Sequence, residues 1–349
     1  MESNEPEPAH AVSILLAGQS QLETGFRGGF IPGFMDGLAN KPSGFGETFL
    51  SAPVTIDPYF IDGTRGGTAI CKTSVGASAT NYWWDSDTDS PGPVLLNHCI
   101  AAIDAAMAAG QPAPETVLWA QGESDVPGLA PGGATSEARY RSERQKVMDY
   151  IRAHLIAQGA ADPQFVCIML GSYEDTANGQ GWQAVRRSYL QQFAEVPWVH
   201  YGAEMYDMPR PWMNLHMYAT GRYTLGVRMA RAYANVRAGQ SNNLGPQITA
   251  ATVQDGAVRL SFSAGVRIPR TPASFAIRSP TGTSIPVTRI EASGSNVILH
   301  TGQDVTGAQV VYPADHFGDA ARGDSIIYSS TLHVKMPGLP LRSTVINIT

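Results

Sequence analysis

The chain has 349 residues, 43% of them hydrophobic and 15% charged, with a formal net charge of −6. That apolar content excludes wholesale disorder, and an acidic balance with no Lys/Arg stripe excludes a nucleic-acid groove. No apolar stretch reaches the roughly 18 residues that cross a bilayer. The acidic, proline-bearing start "MESNEPEPAH" is the reverse of a secretory leader, so neither signal peptide nor transmembrane segment is expected in the chain as given.

Length suggests about two domains. After a tail at 1–10, the region 11–243 alternates apolar runs with helical patterns. Strands are predicted at "VSILLA" (12–17), "TAICKTS" (68–74), "TVLWA" (116–120), "QFVCIML" (164–170) and "WVHYGA" (198–203). All are continuously apolar rather than alternating, as in strands covered on both faces. Residues 94–109 place Leu96, Cys99, Ile100, Ile103 and Met107 at helical spacing ahead of Gly110. Residues 136–158 repeat this with Val147, Met148, Ile151 and Leu155 ahead of Gly159. "GWQAVRRSYLQQFA" and "GRYTLGVRMARAYANV" supply two more helices, with Thr220 expected to cap the last. Strand–helix alternation predicts an α/β fold: a mostly parallel sheet with helices on both faces and a ligand crevice at the carboxyl ends of its strands.

From 244 to 349 the texture changes. "AVRLSFS", "SFAIRSP", "SNVILHTG", "AQVVYPA" and "DSIIYSS" are short alternating segments separated by Gly, Pro, Asn and Asp turns. They predict an antiparallel β-sandwich as an accessory domain behind a polar boundary near 240–245. Cys71, Cys99 and Cys167 are widely spaced, lie in or beside apolar segments and form no metal-ligand pattern, so they read as core residues. No metal, nucleotide or other cofactor is indicated.

Three segments share the rim where chemistry is expected. Gly18-Gln19-Ser20 ends the first strand, "WAQGESD" (119–125) follows the "TVLWA" strand, and "NLHMYATG" (214–221) sets His216 ahead of a helix. A serine hydroxyl needs a base to take its proton, and a tetrahedral oxyanion needs prearranged donors. Taken alone, Ser20 could be a turn residue, His216 a surface histidine, and Trp83 and Trp84 core aromatics or a sugar platform.

The order GQS, then "QGE" (Gln121-Gly122-Glu123), then His216 resembles the SGNH (GDSL-type) hydrolases along about 220 residues. Within them it is most similar to the carbohydrate and sialate O-acetylesterase branch. The tail "VVYPADHFGD…GLPLRS" more loosely resembles the terminal domain of sialate O-acetylesterases. The resemblance implies a flavodoxin-like three-layer α/β/α domain and a serine esterase acting on an acetylated carbohydrate. It implies Ser20 as nucleophile, His216 as base, and the Ser20 amide, Gly76 (in "VGASATNYWW") and Gln121 as oxyanion donors. Two positions depart from the family pattern. Met213 stands where the family has the Asp of DxxH, so the acid partner is Glu123, or alternatively Asp207, or His216 works in a dyad. Gln21 stands where Asn is usual. The rival readings are a degenerate fold that only binds carbohydrate, and an esterase for longer acyl chains.

Overall fold

The computed structural model describes residues 12–23, 28–39, 54, 56–76, 79–171, 179–208, 216–240, 245–267, 275–293, 296–313, 328–329, 341–342 and 344–349. Met213, the tail at 1–10 and most of 314–340 lie outside them.

The chain opens with β1 (Val12–Gly18), α1 (Phe30–Leu38) and β2 (Pro58–Thr64). A small sheet follows, made of β3 (Ala69–Cys71), β4 (Tyr82–Asp85) and β5 (Ser90–Pro91), with a helical turn α2 (Lys72–Val75) after β3. A π-helical stretch, Leu95–Ile100, runs into α3 (Ala101–Ala108). Then come β6 (Thr116–Ala120), a 3-10 turn Glu123–Asp125, α4 (Val126–Leu129) and α5 (Glu137–Ala157). The first region closes with β7 (Gln164–Met169), α6 (Gly179–Glu195), β8 (Val199–Glu204) and α7 (Ala219–Arg237).

The main sheet is all parallel, in the order β2-β1-β6-β7-β8. Every residue of β6 is buried, as its unbroken apolar run requires when both faces are covered. Helix α1 packs on α7 and α5 on α6. The register sets Gly18 opposite both Thr64 and Ala120, so three strands end at one rim.

One expectation needs correction, and two elements were not anticipated. The 68–74 run is not a strand of this sheet: only 69–71 are extended, in the small sheet, and 72–75 coil into a helical turn. The second strand is instead "PYFIDGT", hidden in the sequence by an initial proline and by Asp62 and Gly63. Strand β2 is a sheet edge, where a first-position proline costs no ladder bond and continuous apolarity is not needed. Helix α1 was also hidden, by Pro32, Gly33 and Gly37. The proline sits in the first turn, where its missing N–H is tolerated. Gly33 lets the backbone of α7 approach: a Cβ there would stand 2.1 Å from the Tyr223 carbonyl oxygen.

The C-terminal region contributes β9 (Ile248–Gln254), β10 (Ala257–Phe262), β11 (Val266–Arg267), β12 (Ala276–Arg278), β13 (Ser284–Ile285), β14 (Arg289–Ser293), β15 (Asn296–His300), β16 (Gln309–Tyr312), β17 (Tyr328–Ser329) and β18 (Thr344–Asn347). They form two antiparallel four-stranded sheets, β14-β15-β10-β9 and β13-β12-β16-β18, and a β11-β17 pair. Alternating residues such as Val297, Leu299, Val258 and Leu260 point into a second apolar core, separate from that of the parallel sheet. Tyr206, just after β8, reaches into this core and donates its hydroxyl to the Leu341 carbonyl at 2.7 Å. Gln183 of α6 donates to the Pro313 carbonyl at 2.9 Å.

Candidate active site

The site is built where β1 and β6 end. At Gly18 the backbone takes φ +115°, and an added Cβ would lie 1.9 Å from the Ala120 carbonyl oxygen. Only glycine lets the chain turn there while hugging β6. The Gln19 amide then donates to that same Ala120 carbonyl at 2.8 Å, fixing the turn that presents Ser20. Ser20 is 6% exposed, and among the described residues its backbone N–H donates to no carbonyl.

His216 enters from 196 residues away, at the approach to α7, and its Nε2 lies 2.8 Å from the Ser20 hydroxyl oxygen. Burial holds its imidazole below the ordinary value. Arg222 pushes the same way, and Glu23 pulls it back up. Arg222 also anchors the segment, donating through Nη1 to the Met217 carbonyl (3.0 Å) and through Nε to that of Gly28 (2.9 Å). The cap expected at Thr220 is absent: the helix begins one residue earlier, Tyr218 is its N-cap, and no side chain caps it.

The remaining candidates sit around this pair. Gln121 is fully buried; its Nε2 donates to the Thr68 carbonyl at 3.0 Å and its Oε1 accepts from the Gly122 amide at 2.6 Å. Gly76 has φ +92°, and its N–H donates to the Lys72 carbonyl at 3.1 Å at the end of the 72–75 turn. Glu123 is buried at 5% exposure in the turn beyond Gly122. Asp207 forms a two-pronged ion pair with Arg228, at 2.8 Å on each prong. Arg222 and Glu23 are two charges that bear on the His216 ring, the first lowering its pKa and the second raising it.

Some residues of the site were not picked out by sequence reasoning. Asp125, the last residue of "WAQGESD", is fully buried and accepts from the amides of Ile70 (2.7 Å) and Cys71 (3.1 Å). Burial pushes its carboxyl up to about 7 against the downward pull of those bonds. Gln121 and Asp125 therefore grip 68–71 from two sides, and that segment leads into the turn ending at Gly76. Gln19 faces the amides of Gly122 and Ser124 with Oε1, at 3.5 Å each, tying the serine loop to the same motif. The signal was present in the density of polar residues after an apolar strand, but their partners are backbone groups that only the fold reveals. Trp83 belongs to the core: its indole donates to the Thr68 hydroxyl at 2.9 Å and its ring meets Trp119 edge-on at 5.4 Å. Trp84 is 7% exposed and donates to Asp89. Neither is a sugar platform. Cys71, Cys99 and Cys167 are buried free thiols, with burial pushing each pKa up. Among the described residues no three His, Cys, Asp or Glu side chains are grouped to hold a metal, and no helix is long and apolar enough to cross a membrane.

Comparison with known proteins adds the lineage. The structure is similar to that of a carbohydrate acetylesterase from Xanthomonas citri, with TM-score 0.62 and 16% identity over 96% of this chain and 80% of the other. At that identity the likeness speaks for the fold, and it spans the parallel sheet and the C-terminal sheets together. A carbohydrate acetylesterase from Sinorhizobium meliloti matches at TM-score 0.38 and 9% identity, over 64% of this chain and 99% of its own. The family described as carbohydrate esterase, sialic acid-specific acetylesterase matches residues 53–235, just over half the chain, including "QGE" and His216. The chain belongs to that family of carbohydrate esterases.

Proposed function

We propose that the protein is a serine esterase that removes O-acetyl groups from a carbohydrate through an acetyl-enzyme, with Ser20 as nucleophile and His216 as general base. The observation that carries the reading is the 2.8 Å approach of His216 Nε2 to the Ser20 hydroxyl across 196 residues of chain. That is proton-transfer distance. Family membership supplies the reaction class, a carboxylic ester hydrolase working on acetylated carbohydrate.

In this mechanism the hydroxyl donates to an unprotonated Nε2, and the imidazole takes the proton as Oγ attacks the acetyl carbonyl. The low pKa of His216 keeps the ring neutral and ready at neutral pH. The Ser20 N–H is the donor available to the oxyanion as the site stands. Gln121 spends one amide hydrogen on Thr68 and keeps a second, while Gly76 must release the Lys72 carbonyl before its N–H can contribute. His216 then protonates the departing sugar hydroxyl, and water repeats the sequence on the acetyl-enzyme.

We also divide the chain into an esterase domain, 11–243, and a β-sandwich accessory domain, 244–349. The two separate apolar cores support this division. The test of function is acetate release from acetylated xylan, O-acetylated sialic acid and p-nitrophenyl acetate, with Ser20→Ala as control. The wild type should release acetate and react with a serine-directed fluorophosphonate, and Ser20→Ala should do neither. Full activity in Ser20→Ala, or a stronger preference for butyrate esters, would overturn the reading.

A further inference from the structure

Five large apolar side chains stand exposed among the described residues, and Tyr218, at 51%, is the most exposed. Leu96, Tyr150 and Ile156 lie on helical segments, and Val253 lies in the C-terminal sheets. Tyr218 alone lies beside the reacting pair, two residues after His216. Between them Met217 is 4% exposed, so the side chains at 216, 217 and 218 go to the site, to the core and to solvent in turn.

At Tyr218 the backbone is extended (φ −61°, ψ 162°), and two residues of chain span at most about 7 Å. The Cα of Tyr218 therefore lies within about 7 Å of that of His216, the residue that reaches Ser20. Its mounting is fixed. The Tyr218 carbonyl accepts the Arg222 amide at 3.0 Å, and the Arg222 guanidinium holds Met217 and Gly28 on either side. Among the described residues its hydroxyl makes no hydrogen bond. Its backbone is held beside the catalytic histidine and its ring is exposed, and the C–H face of a sugar ring is the partner that the chemistry of an exposed aromatic fits.

We propose that Tyr218 is the stacking platform for the sugar ring that carries the acetyl ester, and so a specificity-determining residue rather than a catalytic one. The proposal rests on the carbohydrate esterase reading above. Once the ring lies on Tyr218, the acetyl carbonyl is held over Ser20, and the contact acts on binding of the glycosyl part and not on the acyl part.

The test compares glucose pentaacetate with ethyl acetate, which offers no ring, in wild type, Tyr218→Ala and Tyr218→Phe. Tyr218→Ala should raise KM for the sugar ester about tenfold with kcat little changed, leaving kcat/KM for ethyl acetate as it was. Tyr218→Phe should behave as wild type, because the face and not the hydroxyl is used. An unchanged KM for the sugar ester in Tyr218→Ala, or an equal loss on both esters, overturns the platform while leaving the esterase reading intact. Acetate release from neither ester by the wild type would remove both.

Discussion

Asp207 is one of the two carboxylates that sequence reasoning offers as the acid partner of His216, and its surroundings predict a loss of stability on mutation. Its two oxygens each accept a 2.8 Å bond from Arg228, and the side chains of the pair are 3% and 8% exposed. If Asp207 becomes Ala, the guanidinium keeps its hydrogen bond to the Glu204 carbonyl at 3.3 Å but loses both prongs of the ion pair. Removing one partner of a buried, well-formed pair costs about 3–5 kcal/mol, most of it the penalty of the charge left behind. Asp207→Ala should therefore lower the unfolding free energy by that amount, seen as a lower denaturant midpoint with the slope unchanged. Replacing both partners, Asp207→Leu with Arg228→Met, should recover much of the loss, since neither charge of the pair is left without the other. Acetate release by folded Asp207→Ala should stay within a fewfold of wild type. A stable Asp207→Ala protein whose kcat has collapsed would refute the reasoning and make Asp207 the catalytic acid.

Two further predictions concern the site and its scaffold. Because burial and Arg222 lower the pKa of His216, the acid limb of kcat/KM should lie below the ordinary imidazole value of 6.5, with activity lost as pH falls and the base takes up a proton. Glu23→Gln removes the charge that pulls the pKa up, so the limb should move to still lower pH; movement upward would contradict the assignment. Gly18→Ala forces a Cβ to 1.9 Å from the Ala120 oxygen at φ +115°, and should destabilise by more than about 4 kcal/mol in thermal or denaturant unfolding. A change within about 0.5 kcal/mol would show that β1 and β6 can part without cost.

How much of this was legible depended on whether the cause was local. Strands β1, β6, β7 and β8 are buried on both faces, and that leaves unbroken apolar runs in the sequence. The edge strand β2 and the glycine-bearing helix α1 owe their form to neighbours, the first to pairing with β1 and the second to close approach by α7. The meeting of Ser20 with His216 could be read from motif order because parallel strands deliver distant segments to one rim. The grip of Asp125 on the amides of Ile70 and Cys71 could not, since backbone acceptors and donors carry no residue identity. The same holds for Asp207: nothing in "EMYDMPR" announces that Arg228, one turn after another along α7, comes round to neutralise it.

The central claim is that an acetyl group passes through the hydroxyl of Ser20. Brief reaction with p-nitrophenyl acetate, an acid quench and peptide mass spectrometry would read it directly. One acetyl group should appear on the peptide holding Ser20, build up before steady state and be absent in Ser20→Ala. Turnover with that peptide never acetylated, or an acetyl group found on another side chain in an active enzyme, would contradict the account.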